Sequence, residues 1–110
     1  MTVPTRLALA DVLKRLPTAD GKRFTLALTH GQLELELYAP RGTDPQQPHT
    51  RDEMYVVATG SGTFRRGDET VAFVPGDCLY AGAGEVHRFE DFTDDLAVWV
   101  VFWGPEGGHR

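Results

Sequence analysis

The stretch of sequence that decides the fold of this chain lies between residues 47 and 91. It begins with Gln-Pro-His-Thr-Arg-Asp-Glu-Met-Tyr-Val-Val-Ala-Thr-Gly at residues 47–60 and continues with Gly-Asp-Cys-Leu-Tyr-Ala-Gly-Ala-Gly-Glu-Val-His-Arg-Phe-Glu-Asp at residues 76–91. A histidine and a glutamate enter a run typical of a strand, and a second histidine leads another such run. This arrangement is suited to a metal ion held inside a β-barrel.

Short strand-like runs surround this stretch, with glycine and proline between them. The predicted strands are residues 24–29, 33–38, 53–59, 63–65, 69–73, 77–81, 86–91 and 96–103. Such regular spacing is typical of an all-β sandwich or barrel, and nothing in it indicates βαβ units.

One domain spanning residues 1–110 fits the length of the chain. Residues 1–20 form an N-terminal extension, in which apolar residues at helical spacing predict a short helix from Leu9 to Leu16 that Pro17 ends. The barrel is expected to span residues 24–103. The glycine-rich tail, residues 104–110, is expected to be flexible.

Composition narrows the classes of partner and location. The net charge of −5 argues against a nucleic-acid partner, because phosphate binding needs a basic surface. No apolar run approaches the roughly 20 residues that cross a bilayer, and the N-terminus lacks the pattern of a signal peptide. The lone cysteine, Cys78, fits a reducing cytoplasm, and we expect it to be a small core residue.

The alternation of side chains along a strand predicts which residues converge. Gln47, His49 and Glu53 share a face if the backbone stays regular, and a neighbouring strand can bring in His87. Arg51 has the same parity, so a bend before Glu53 is needed to turn its charge away. Two histidines and one carboxylate suit one divalent ion of Fe, Mn, Zn, Ni or Cu, and they leave coordination positions open.

Composition alone also allows the interpretation that these residues form no metal site. Histidines in a small protein are usually surface or core residues, and Glu53 could be a solvated strand residue beside Asp52. We take His30, in a predicted turn, and His109, in the tail, as surface residues.

Parity also predicts the surroundings of the site. Tyr55 faces inward with Glu53, and Phe89 and Asp91 face inward with His87, so these three residues can line a pocket above the metal. Core packing of Tyr55 and Phe89 is the alternative. Asp52, Tyr55 and Asp91 are the titratable groups near the site.

The first half of the stretch resembles the first signature motif of the cupin superfamily, which is His-x-His, three or four residues, Glu, six residues and Gly. His49, Glu53 and Gly60 match its later part, and Gln47 stands where the motif has its first histidine. The second half resembles the other motif, with Gly76, His87 and Asp91 at its spacing. There Gly82 replaces the proline, and Asp91 replaces the final asparagine.

The resemblance implies a cupin fold, which is an antiparallel double-stranded β-helix or jelly-roll barrel. Cupin metal sites have three histidines and one glutamate, so it implies a metal held by His49, Glu53 and His87, with Gln47 as a weak fourth ligand. The implied function is dioxygenase- or isomerase-like chemistry on a small oxygen-bearing molecule. A non-catalytic binding or sensing module is the alternative, and a structural domain with a degenerate site is a third.

The last strand predicts a homodimer. Residues 96–103 are apolar on both faces, with Trp99 and Trp103 on the same side. A barrel interior accepts only one face, and a large uncovered apolar patch is rare on a monomer. The helix is too short to cover the other face, so we expect a second subunit to do so, as it often does in resembling cupins.

Overall fold

The strands form two antiparallel sheets that face each other across an apolar core. The computed structural model describes residues 3–109; Met1, Thr2 and Arg110, which belong to the predicted extension and tail, lie outside the described residues. The elements found in the described part are α1 (Leu9–Leu13), β1 (Phe24–His30), β2 (Leu33–Tyr38), β3 (Asp52–Thr59), β4 (Gly62–Arg66), β5 (Glu69–Phe73), β6 (Cys78–Ala81), β7 (His87–Glu90) and β8 (Ala97–Trp103).

The larger sheet has the strand order β1-β2-β8-β3-β6, and the smaller one has the order β5-β4-β7. Consecutive strands such as β3 and β4, or β7 and β8, lie in different sheets, so the chain crosses between the sheets as a jelly roll does. The predicted all-β antiparallel barrel is therefore confirmed. Within residues 3–109, no helix is long and apolar enough to cross a membrane.

The apolar core lies between the two sheets because alternate residues of each strand point inward. In β8 the inward residues Val98, Val100 and Phe102 are buried, and they pack in one cluster with Phe64 and Phe89 from the smaller sheet. Phe102 of this cluster also packs beside His49, so the core borders the predicted site.

The helix is shorter than predicted. It ends at Leu13 instead of Leu16, and the next residues continue in turns that place the Leu16 N–H on the Leu13 carbonyl. Proline disfavours helical backbone at the residue before it, so Pro17 acts earlier than expected. The helix buries Val12 against Trp99 of the larger sheet's outer face.

Gly60, which the first motif requires, has a steric reason to be glycine. Its φ is 87°, and a Cβ atom there would lie 2.6 Å from Leu96 Cα. This is closer than any side chain tolerates, so the chain can pass from β3 to β4 only without a Cβ.

The prediction that Cys78 is a core residue is wrong. Leu79 and Ala81 of β6 point inward and are buried, so Cys78 points to the other face and is exposed. The tail also differs from a free segment. The Gly107 N–H donates to the Thr50 carbonyl, and the His109 N–H donates to Asp52 Oδ2. His109 itself is exposed, as expected.

Candidate metal site

His87 opens β7 and points into the barrel with only 2% of its surface exposed. Its Nδ1 lies 2.9 Å from the Glu85 carbonyl oxygen, which can only accept a hydrogen bond. Nδ1 therefore carries a proton, and Nε2 is the atom that faces Glu53 Oε1, at 2.5 Å. A backbone partner of this kind fixes the ring orientation and tautomer that metal-binding histidines use.

Glu53 lies on the inner face of β3 and is 1% exposed. Tyr55, two residues later on the same face, places its hydroxyl 2.9 Å from Glu53 Oε1. The burial of a carboxylate is costly unless positive or donor groups surround it. Here the two histidines and the tyrosine provide those groups.

His49 reaches the same carboxylate from the loop before β3. Its Nδ1 lies 3.2 Å from Glu53 Oε1 and 3.1 Å from Oε2, and its ring packs beside Phe102. In contrast to His87, its side chain is 35% exposed. One ligand atom each from His49, Glu53 and His87 lies within 4.8 Å of the others, so the predicted three residues converge and could hold a metal ion.

Two buried atoms of this cluster have no hydrogen-bond partner. Glu53 Oε2 and His87 Nε2 are fully enclosed, and although each lies close to a neighbouring group, those contacts lack hydrogen-bond geometry. Buried polar atoms are almost always satisfied in native proteins. A cation between the two would satisfy both, which is why this donor set fits a metal.

Opposing effects set the pKa values of the pair. Burial lowers the pKa of His87, but the close Glu53 carboxylate and the hydrogen bond to the Glu85 carbonyl outweigh it, so the pKa is raised. Burial raises the pKa of Glu53, but the two histidines outweigh it, so the pKa is lowered. Both directions favour an imidazolium–carboxylate pair, from which a metal must displace a proton.

Arg51 is turned away from the cluster, as the prediction required. The chain bends at residues 50–51, and the guanidinium binds Glu34 at 2.5 Å and the Gly104 carbonyl at 3.0 Å. The bend therefore removes a positive charge that would oppose a bound cation.

Asp44 anchors the loop that carries His49, a role that sequence reasoning missed. It is 4% exposed and accepts hydrogen bonds from the Tyr38 hydroxyl, at 2.5 Å, and from the Phe89 N–H, at 2.8 Å. The Gln46 side-chain amide donates to Asp44 Oδ2, the oxygen that also accepts from Phe89, at 2.7 Å. No periodicity marks this aspartate, because it lies in a loop and its Phe89 partner is 45 residues away.

Gln46, and not Gln47, is the amide that reaches the cluster. The Tyr55 hydroxyl lies 3.1 Å from Gln46 Oε1, whereas Gln47 is exposed and lines a neighbouring cavity. Strand parity selected Gln47, but residues 44–49 are a loop, where parity has no meaning. A role for Gln47 as a ligand stays a prediction.

The predicted pocket residues divide into two groups. Tyr55 and Phe89 are packed in the core, with ring centroids 5.0 Å apart, so the core alternative is the better description. Asp91 does not line the interior: it is exposed and has a φ of 49°, and its placement in the pocket is wrong. Aspartate tolerates this left-handed backbone better than most residues, so Asp91 forms a turn. Asp52 also lies outside the barrel interior, and its carboxylate accepts hydrogen bonds from backbone N–H groups.

A cavity of about 660 Å³ opens beside His49. The residues that line it include Glu36, Gln46, Gln47, Val100 and Phe102, together with Lys22, Arg23 and Arg41 at another side. The size is within the range of small-molecule sites. Burial raises the pKa of the Glu36 carboxyl.

The protein is thus a small jelly-roll barrel with two histidines and a glutamate at its inner face, an arrangement that could hold a metal ion. The family model described as the cupin domain matches residues 34–103, and the chain belongs to that family.

An uncharacterized protein of Streptomyces coelicolor is 35% identical over 98 residues, which cover 87% of this chain and 93% of that protein. The structure of a cupin-2 domain protein of Shewanella frigidimarina has a TM-score of 0.70 at 12% identity, covering 89% of this chain and 94% of that one. A solved DMSP lyase structure has a TM-score of 0.61 at 20% identity, covering 70% of this chain and 41% of that one. At these identities the two structures show likeness of fold.

Proposed function

We propose that this protein binds one divalent metal ion through His49, Glu53 and His87 and acts on a small oxygen-bearing molecule chelated to it. The observation that supports this most is that Glu53 Oε2 and His87 Nε2, two buried atoms of the cluster that includes His49, have no hydrogen-bond partner among the described residues. The ion is Fe, Mn, Zn, Ni or Cu, which accept imidazole and carboxylate ligands. We place this activity in the cytoplasm.

A metal in this set of ligands supplies a Lewis acid with open positions for oxygen ligands. The exposed side of His49 adjoins the cavity, whereas Glu53 and His87 are enclosed by the core. A substrate therefore approaches from the cavity, and the apolar barrel behind the cluster excludes water. We therefore favour dioxygenase- and isomerase-like reactions over reactions that need a wide, solvated site.

Two residues beside the cluster are suited to proton chemistry. Burial and the neighbouring Glu53 carboxylate raise the pKa of Tyr55, so its hydroxyl stays protonated and acts as a hydrogen-bond donor. Glu36 lines the cavity, and its raised pKa makes it a better proton acceptor than an exposed glutamate. In an isomerase-like reaction, Glu36 is our candidate base.

Metal analysis of the purified protein tests the site. We expect about one equivalent of a divalent metal in the wild type, and loss of most of it in His87→Ala, with the fold checked by circular dichroism. His30→Ala, which removes an exposed histidine, is the control and should keep its metal. A His87→Ala protein with full metal content would place the metal elsewhere.

Activity is tested by turnover of diketones, catechols and sugar phosphates by protein to which metal has been added back. Turnover that disappears in His87→Ala would support the enzyme. Saturable binding of one of these compounds with no turnover would instead favour the non-catalytic binding module.

A further inference from the structure

Two arginines converge on a single backbone oxygen at the wall of the cavity. Arg23 donates from Nε to the Ala39 carbonyl at 2.8 Å, and Arg41 donates from Nη1 to the same oxygen at 3.2 Å. The same Arg41 nitrogen also donates to the Pro40 carbonyl, at 2.9 Å, and to the Leu96 carbonyl, at 3.2 Å. Both guanidinium groups are thus fixed in place by main chain.

These two positive charges have no acidic partner. Within residues 3–109, no carboxylate lies within ion-pair distance of Arg23 or Arg41, although Glu36 lines the same cavity. Burial lowers the pKa of the Arg23 guanidinium, and the nearby charge of Arg41 lowers it further. Two positive charges held this close repel each other unless an anion lies between them.

The carbonyl contacts use only part of each guanidinium. Arg23 keeps its two terminal nitrogens, and Arg41 keeps Nε and Nη2, so each retains donors with no partner among the described residues. Guanidinium donors form a planar fork that matches a carboxylate or phosphate. Both side chains line the cavity that also reaches His49.

We propose that Arg23 and Arg41 form a binding site for an oxyanion, and that the substrate of the metal site therefore carries a carboxylate or phosphate group. The assignment of that anion to the substrate rests on the proposed function. Anion binding itself needs no metal, so the two proposals can fail separately.

The test uses metal-free protein and two probes, malonate for a carboxylate and inorganic phosphate for a phosphate, titrated by calorimetry. We expect one probe or both to bind, and Arg23→Gln and Arg41→Gln each to weaken that binding roughly tenfold, as loss of a charged hydrogen bond does. Arg23→Lys keeps the charge but loses the fork, and it should also weaken binding. Arg65→Gln is the control, because it removes one exposed positive charge outside the cavity.

A second measurement does not depend on the folding of variants. In the wild type, the Nε–H signals of Arg23 and Arg41 should shift in NMR spectra when the bound probe is added. Binding of malonate alone would indicate a carboxylic acid substrate, and binding of phosphate alone a phosphate ester. Absence of binding by both probes, or equal affinities in wild type, Arg23→Gln and Arg41→Gln, would overturn the proposal, whatever the metal content.

Discussion

Adjacent residues of β3 serve opposite faces of the larger sheet. Glu53 points inward to the histidines and is buried, whereas Met54 points outward and pairs with Val101 of β8. The inner face is closed by the smaller sheet, so its charged cluster is held by packing. Among residues 3–109, no second sheet covers the outer face. The same strand thus places Glu53 in the candidate site and Met54 on the outer face.

The outer face itself has a covered half and an open half. The helix packs on Leu37, Ala97 and Trp99, and these lie toward one end of the sheet. At the other end, three residues form a row across β2, β8 and β3, because Leu35 pairs with Val101 and Val101 pairs with Met54. All three are only half-buried, as is Trp103. This open half, Leu35, Met54, Val101 and Trp103, is the surface that we propose for a homodimer.

The largest effect should come from exchanging a charged residue of the inner face. Glu53→Gln keeps the size but removes the charge, and we expect metal affinity to fall about a hundredfold or more, beyond the 10–100-fold loss typical of outer-shell changes. Met54→Gln, one residue away on the outer face, should retain affinity. Competition with a chelator of known affinity measures both. Equal losses in the two variants would mean that the change acts through the strand and not through a metal ligand.

The next effect concerns the open half of the outer face. Wild type should sediment at twice the 12.2 kDa chain mass, and Val101→Lys should sediment at 12.2 kDa because a lysine would be buried at the contact. Val71→Lys on β5 is the matched control, since Val71 is already 39% exposed. A wild-type monomer whose mass does not change with concentration would show that α1 and the tail suffice to cover the outer face.

The strands could be predicted from local alternation, as in β2, and the three residues of the candidate site from their spacing within the two motifs that the chain resembles. The structure has a strand at residues 33–38 and brings His49, Glu53 and His87 together. What alternation cannot tell is which face is the inner one. In β2 Leu37 packs against the helix on the outer face, whereas Glu36 lies opposite Val100 and lines the cavity.

Loops were the other source of error. Gln46 and Asp44 reach the site through contacts with distant strands, and no periodicity marks them. The meeting of Arg23 with Arg41 likewise depends on how the chain folds around Ala39. The prediction for Cys78 was wrong for the same reason that applies to β2. A short apolar run does not show which of its alternating residues point inward.

A smaller effect should appear in the pH dependence of metal-free protein. The raised pKa of His87 means that its contribution to stability is complete below its ordinary value of 6.5 and is lost as the pH rises through the folded value. The lowered pKa of Glu53 means that its contribution is lost as the pH falls through its folded value, below 4.5. The melting temperature should therefore fall by a few degrees, on the order of 5 °C, between about pH 6 and pH 8.

His87→Gln should remove that decline, because it removes the buried imidazole whose pKa is raised. Bound metal should reverse the trend, since protons compete with it for the histidines. A wild-type melting temperature that stays constant over this interval would contradict the raised pKa.

The smallest effect should come from Gln47, at the solvated edge of the site. An amide oxygen is a weaker ligand than imidazole toward these metals. Gln47 is also exposed, whereas His49 contacts Glu53 directly. Gln47→Ala should therefore change metal affinity by about a few-fold, well below the loss in His49→Ala. Gln47→His should tighten binding by adding the third histidine that cupin sites have. If Gln47→Ala and His49→Ala lose affinity equally, the loop must close on the bound metal, and the open edge of the site belongs only to the metal-free protein.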